Sequence, residues 1–528
     1  MLSKRRKMLF NSKKVDPTVQ KVCEITGWRT NKAEKQMDAA RELGLTYKQY
    51  LKHEAWNLSD AEIAELVEKI RKRKEANEKA ITEVCEKTGW DREAAAEALK
   101  QAAAYGISRK QYISKAAYDL SAEDLPVLAE ALAIADQRRA DGRKFYLDTV
   151  CRKTGWDAEK AQSEIDRFRA MGISSLKYVQ NSLWELEGSK LDLALKEISE
   201  RKGTTAENKE NYRQEIMSIT GWNQAKTDLE VLKSRNNCGS SYEDFLVFKL
   251  YELTPDEQRQ YVTLDMFIRM RLTYNDHSTA KKYFDDKAKF NETFAPHIHR
   301  RWFVNMDLTF DEFMEKTAGI SDFLVKPLAK TQGIGIHKLH LTDDPEERRS
   351  AYEALIKEEK SIIEEYITQH EAVAAFCPAS VNTLRITTLY KDGECHFLYS
   401  VFRMGRGAVV DNFHAGGIAA SVDPATGVVL TDAADLSSNT FAVHPTSGLT
   451  IKGFQIPHWD QILDTCRKAA PIVKEVQLVG WDFAITPDGV DLIEGNPGAS
   501  YIVAQIPNVS IRKGLRNCMV DPYLELPY

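Results

Sequence analysis

The sequence has no run of about 18 apolar residues, so nothing in it reads as a membrane-spanning helix. Its first residues, MLSKRRKMLFNSKK, lack the apolar stretch and the small-residue cleavage site of a secretory signal. Cytoplasm is therefore the expected location. Cysteine is scarce, with eight in 528 residues and no CxxC or other close pair. That scatter speaks against a disulfide framework or a cysteine zinc site and fits free thiols in a reducing compartment. An excess of positive charge is also missing. A net charge of −5 argues against nucleic acid as the main partner, because neutralising phosphates requires a basic face. The one basic cluster, Lys4, Arg5, Arg6, Lys7, Lys13 and Lys14, belongs to a tail over residues 1–17 that reads as solvated, with an anionic membrane surface as the alternative contact. With 43% hydrophobic and 29% charged residues the rest is globular in composition, and its length exceeds one ordinary core, so two or more domains are expected.

What is present, first of all, is internal repetition. Thr-Gly-Trp recurs at Thr26-Gly27-Trp28, Thr88-Gly89-Trp90, Thr154-Gly155-Trp156 and Thr220-Gly221-Trp222. A second glycine follows each (Gly44, Gly106, Gly172, Gly239), and soon after it an aromatic (Tyr50, Tyr112, Tyr178, Phe245). A third landmark, aromatic-x-Leu, stands at Trp56/Leu58, Tyr118/Leu120, Trp184/Leu186 and Tyr251/Leu253. Three landmarks in register predict four related units over residues 18–262. The intervals are rich in Ala, Glu, Lys and Leu, and the glycines sit where a left-handed residue would end a helix, so each unit reads as helical. Ser59-x-x-Glu62 and Thr254-x-x-Glu257 read as capping boxes. Neighbouring units are expected to bury each other's apolar faces, with the tryptophans as core anchors. Cys23, Cys85 and Cys151 share one position that Met217 fills in the fourth unit, which points to a small hydrophobe and away from metal or thiol chemistry.

Beyond residue 320 the pattern turns to β-rich runs at 322–327, 335–341, 384–390, 396–403 and 478–485, with Asp-Gly hairpin turns at Asp392-Gly393 and Asp488-Gly489. Helices are expected over 345–360 and 459–475. The fold class is α+β, a helical repeat array followed by antiparallel sheets over residues 263–528. In Val325-Lys326-Pro327, followed by Gly333-Ile334-Gly335, a strand delivers a lysine and then a glycine-bearing loop, as a phosphate chain requires. Glu494 and Asn496 lie two apart on an extended segment and Asp482 belongs to its partner strand; together they offer hard oxygen donors suited to Mg²⁺. His297, His299, His337 and His414 supply no zinc-type ligand set.

At this point the chain resembles the ATP-grasp superfamily, most closely its sugar-transfer-associated branch, over residues 264–528. Asp286-Lys287 and Lys326 resemble the two nucleotide lysines, Gly333 and Gly335 the loop over the triphosphate. Glu364-Glu365-Tyr366-Ile367 is similar to the segment between the two lobes, where backbone near Glu365 and Ile367 meets adenine and Glu364 accepts from its amino group. Glu371 matches the ribose-binding acid, and Asp482, Glu494 and Asn496 match the metal ligands. Ser380 to Arg385 and Asp411 to Gly417 resemble further signatures of the branch.

The resemblance implies ATP and Mg²⁺ as cofactors and an ADP-producing carboxylate–amine ligation through an acyl phosphate. Arg385 and Arg403 are the candidates for the transferring phosphate and the substrate carboxylate, and Asn412 for positioning substrate, with a low role for His414. The branch name points to cell-surface polysaccharide, with a peptide or amino acid close behind. A phosphotransferase on the same lobes and a non-catalytic nucleotide-binding scaffold are the alternatives. Helical units replace the domain that most of the family places before the nucleotide lobes; they are expected to recruit a polymer, peptide or partner protein.

Overall fold

The computed structural model describes residues 15–328, 335–406 and 416–526. The basic cluster from Lys4 to Lys14 lies outside them. By compactness the chain divides into Met1–Ala129 and Glu130–Tyr528. The helical residues from 130 to 262 thus share the second unit with the sheets.

The helical region repeats one succession of elements. A helix ends at the threonine of Thr-Gly-Trp, a second follows, then a short third and a 3₁₀ turn. In the first round these are Pro17–Thr26, Thr30–Glu42, Tyr47–Lys52 and Ala55–Asn57. The later rounds begin with the long helices Asp60–Thr88, Asp124–Thr154 and Gly188–Thr220. The tripeptide explains its own recurrence. Gly27, Gly89, Gly155 and Gly221 have φ of 71°, 74°, 73° and 72°, a left-handed conformation in which the glycine amide donates back to the carbonyl four residues earlier. The threonine hydroxyl donates to the carbonyl of the previous turn (Thr26 to Val22, 2.7 Å) and accepts from the tryptophan amide (3.3 Å). Both capping boxes form, Ser59 with Glu62 and Thr254 with Glu257.

The core anchors are not the tryptophans. Tyr50, Tyr112, Tyr178 and Phe245 are fully buried, whereas Trp90 is 39% exposed and Trp28 and Trp156 each lie under a lysine ammonium at 4.3 and 4.4 Å. A tryptophan placed immediately after a helix-ending glycine stands at a corner, where one ring face covers the core and the other meets solvent. Two of the cores close against the helix that opens the next round: residues 19–55 pack with Ile63, Leu66, Val67 and Ile70, and residues 150–183 with Leu191, Leu195 and Ile198.

The remaining chain forms two antiparallel sheets. The smaller runs β1 (Trp302–Val304), β4 (Ser361–Glu365), β2 (Asp322–Pro327), β3 (His337–His340) in space. Phe303, Phe323, Val325 and Ile363 alternate onto one face and pack on the helices Phe310–Thr317 and Pro345–Leu355; Lys326 and Glu364 point from the other face. The larger sheet places β5 (Thr383–Lys391), β6 (Glu394–Met404), β7 (Ile418–Val422), β8 (Ala433–Ala434), β9 (Thr440–Phe441), β10 (Leu478–Thr486) and β11 (Gly489–Asn496) in the order β11-β10-β5-β6-β7-β8-β9. One face, with Leu384, Ile386, Phe402, Trp481, Phe483 and Leu492, covers the helix Trp459–Ala469. The Asp392-Gly393 turn joining β5 to β6 has φ of 54° and 85°, as a tight hairpin requires. The short strands β1 and β7 to β9 carry too little period for the sequence to announce, and the helices at 345 and 459 end sooner than expected, at Leu355 and Ala469.

Candidate active site

The second face of the larger sheet carries the chemistry. Asp482 stands directly opposite Glu494 on one side and Arg385 on the other; Asn496 opposes Gly480. The Asn496 amide donates to Glu494 at 3.1 Å and reaches Asp482 at 3.4 Å, so the three expected metal ligands converge. This convergence depends on a β-bulge. In β11, Val490 and Leu492 face the hydrophobic core, and strict alternation would send Glu494 and Asn496 there too. An extra residue, Ile493, between the pairs Phe483–Leu492 and Asp482–Glu494 turns both onto the open face.

Asp482 is buried, and Arg385 grips it through Nε (2.6 Å) and one Nη (2.5 Å), with Arg403 at 3.2 Å. Burial alone would raise this carboxyl, but the two guanidiniums outweigh it and keep it below the ordinary carboxylate range. Half of the Glu494 side chain meets solvent; the protein packed around it and the Asp482 charge still raise its carboxyl above the usual value. Arg385 and Arg403, the candidates for the phosphate and the substrate carboxylate, are both turned to Asp482, which they hold charged and aimed.

Across from this cluster, Lys326 of β2 pairs with Glu364 of β4 at 2.5 Å. Lys287 opens the helix Lys287–Thr293, whose N-cap Asp286 accepts from the Ala288 and Lys289 amides. Its ammonium donates to the Pro327 carbonyl at 3.4 Å. Burial lowers the Lys287 ammonium, and Glu494 and Lys326 both act on it electrostatically. The two lysines and the carboxylate cluster thus line one cleft.

Glu364 differs from the adenine acceptor that the resemblance implies. It is 4% exposed; one oxygen accepts from Arg300 (2.7 and 3.1 Å) and Asn291 (3.0 Å) while the other receives Lys326. Burial pushes its carboxyl up, and Arg300 and Lys326 overcome this to hold it well below the usual range. Arg300 also reaches Asp491 (3.1 Å) and the carbonyls of Leu492 (2.8 Å) and Ile493 (3.2 Å) on β11. One buried guanidinium therefore joins the lysine-bearing sheet to the metal-bearing strand. Arg300, Asn291 and Asp491 were not expected from the sequence, whose only local signal for them is an Asp two residues after the Asp488-Gly489 turn.

The other expected residues fall around this cleft. Glu365 accepts from the Arg301 amide at 3.1 Å, and Ile367 lies half-buried in the segment that leaves the small sheet. That segment is tied at both ends, Tyr366 to the Asp322 carbonyl and His370 to that of Ile485. Glu371 follows as the exposed first residue of the helix Glu371–Ala374. Gly335, with φ of 77°, leads into β3. Gly333, Asn412 and His414 lie outside the described residues. Within the Ser380 to Arg385 signature, Asn382 is buried and donates to the Val373 and Cys377 carbonyls, a structural role. Among the described residues no group of three His, Cys, Asp or Glu side chains could hold a metal. The Asp482, Glu494 and Asn496 set does fit Mg²⁺, because its donors are hard oxygens once the Asn496 amide presents its oxygen in place of its nitrogen.

No helix among the described residues is long and apolar enough to cross a membrane. No curated protein matches the chain. Among solved structures it is similar to ATP-grasp ligase PsnB complexed with a phosphomimetic variant of minimal precursor, Mg and ADP, at 13% identity and a TM-score of 0.27 over 48% of this chain and 61% of that one. It is also similar to the D-alanine-D-alanine ligase from Coxiella burnetii, at 9% identity and a TM-score of 0.26 over 42% of this chain and 50% of that one, and to the corresponding enzyme from Bacillus anthracis complexed with ATP, at 12% and 0.25 over 45% and 69%. The chain thus spans about three fifths of the length of the PsnB chains it matches. The family model for sugar-transfer associated ATP-grasp matches residues 268–519, and this part of the chain is similar to that family.

Proposed function

We propose that the protein is an ATP-dependent carboxylate–amine ligase. The observation that supports the reading is the converged Asp482, Glu494 and Asn496 set, with Lys287 in electrostatic reach of both Glu494 and Lys326. Lys287 and Lys326 hold the α and β phosphates of ATP. Lys326 is oriented by its ion pair with Glu364, and Lys287 by its place on a capped helix. Asp482, Glu494 and Asn496 would hold Mg²⁺, which supplies neutralisation of charge on the phosphate oxygens. Backbone at Glu365 and Ile367 receives adenine and Glu371 the ribose, while Gly333 and Gly335 let amides close on the triphosphate.

A substrate carboxylate oxygen forms a bond to the γ phosphorus as the bond to the β-bridging oxygen breaks, releasing ADP. An amine then attacks the acyl carbon; the carbon–nitrogen bond forms, phosphate leaves and the amine loses a proton. The carboxylate is a uronic acid of a cell-surface saccharide or an amino acid or peptide, and residues 18–262 recruit the polymer or protein that carries it.

The test is to incubate the protein with Mg-ATP and pools of carboxylates, with and without amines, scoring ADP release and a condensed mass. Glu494→Ala should lower turnover about 100-fold, the scale of losing one preorganised transition-state contact. A stable phosphorylated product that forms without any amine would establish a phosphotransferase instead. Unaltered biological output from Glu494→Ala would point to a scaffold.

A further inference from the structure

Arg385 and Arg403 are both held by Asp482, which leaves the substrate's carboxylate without an assigned partner. A third guanidinium beside the cleft is in the opposite condition. Arg271 lies on the last turn of the helix Leu264–Tyr274, and its Nε is shielded from solvent with no hydrogen-bond acceptor among the described residues. A shielded donor on a charged group without an acceptor is costly, so an acceptor from outside the chain is favoured there.

The surroundings of Arg271 are fixed from several sides. A methyl group built on Gly498 would stand 3.5 Å from its Cζ, so the guanidinium lies across the backbone of the turn that follows Asn496. That turn is pinned by Asn275, whose amide donates to the Pro497 carbonyl (3.0 Å) and the Leu478 carbonyl (2.8 Å). The end of the arginine's own helix is clamped by Arg152, donating to the carbonyls of Leu272 (3.2 Å) and Thr273 (3.1 Å), and by Lys153, donating to that of Asn275 (2.7 Å). At the outer side stand His277, half-buried, and Lys281 and Asp285, exposed. His277 and Asp285 act electrostatically on each other and on Arg271, and Lys281 acts on both of them. Asp285 also feels Lys287, which in turn feels Glu494, so this group is continuous with the phosphate and metal cleft.

We propose that Arg271, with His277 and Lys281 at its mouth, is the subsite that receives the carboxylate of the substrate to be activated, beside the Asn496–Gly498 turn. The assignment rests on the ligase reading above. A planar guanidinium offers two parallel donors to the two oxygens of a carboxylate, which a lysine does not. A rigidly held arginine gives up little further freedom on binding. Neither the nucleotide lysines nor Arg385 need change partners for this substrate to enter.

Two measurements on the full chain decide the matter. In the first, succinate serves as a carboxylate probe added to the Mg-ADP-loaded protein, with sodium chloride of equal ionic strength as control. Succinate should raise the melting temperature of the wild type, act weakly on Arg271→Lys and not act on Arg271→Gln. Lys281→Gln, a change at an exposed position that leaves the packing intact, should halve the response or more. Equal stabilisation of all four proteins, or none in any, overturns the subsite.

In the second, the carboxylate that releases ADP fastest is titrated. Arg271→Gln should raise its KM about 10-fold or more, the scale of a hydrogen bond to a charged group, with the KM for Mg-ATP and for the amine unchanged. A rise in either of those in its place overturns the proposal. If no carboxylate promotes ADP release the ligase reading fails, and the succinate measurement still decides whether Arg271 is an anion site.

Discussion

Arg300 offers the sharpest test of how the two sheets are held. Its side chain is 3% exposed and its partners Glu364 and Asp491 are 5% and 2% exposed. Arg300→Met keeps similar length and removes the charge, leaving two buried carboxylates short of their main donor. Breaking a buried pair from one side costs about 3–5 kcal/mol. The lower end applies here, because Glu364 keeps Lys326 and Asn291, and Asp491 keeps the His299 and Arg300 backbone amides. A multidomain chain is poorly described by one unfolding transition, so local stability is the proper observable. Hydrogen exchange read by mass spectrometry should show peptides over β4 and β11 both exchanging about a hundredfold faster, the equivalent of about 3 kcal/mol. The pH dependence carries its own sign. The Glu364 carboxyl is depressed in the folded state, so its contribution is complete above its ordinary value of 4.5 and is lost as pH falls toward the folded value. The gap between wild type and Arg300→Met should therefore be widest near neutrality and narrow below about pH 4.5. A constant gap down to pH 3, or lost protection in one sheet only, refutes the account of Arg300 as an electrostatic clamp between them.

Two further predictions concern the metal-bearing turn and the helical region. A methyl group on Gly480 would meet the Ala499 methyl at 2.4 Å, so Gly480→Ala should cost about 1–3 kcal/mol and slow ADP release; adding Ala499→Gly should restore both, and failure of that rescue rejects steric conflict as the cause. A chain starting just ahead of the helix Asp124–Thr154 retains the compact unit that holds both sheets. It should turn over small carboxylates at the full rate and lose activity on the polymeric or protein-borne one; full activity on that substrate would reject a recruiting role for the first two helical units.

Much of this protein was legible before any coordinates. The Thr-Gly-Trp repeats carry their structure locally, because a left-handed glycine and a threonine hydroxyl end a helix with groups only a few residues apart. The strand at Asp322–Pro327 and the Asp392-Gly393 hairpin are likewise short-range matters of alternation and turn chemistry. The order of Lys287, Lys326, Glu364, Asp482, Glu494 and Asn496 along the chain was enough to suggest a nucleotide cleft. What the sequence alone could not decide depends on contacts between distant segments. The pairing of Arg300 with Glu364 spans 64 positions and that with Asp491 spans 191, and nothing local to any of the three announces it. That Arg385 meets Asp482 was decided by the β5–β10 register, which sets the two opposite each other across 97 positions. The facing of Glu494 itself was a tertiary outcome: alternation through Val490 and Leu492 aims it into the core, and only the unpaired Ile493, forced by the register of β11 against β10, turns its carboxylate toward the lysines.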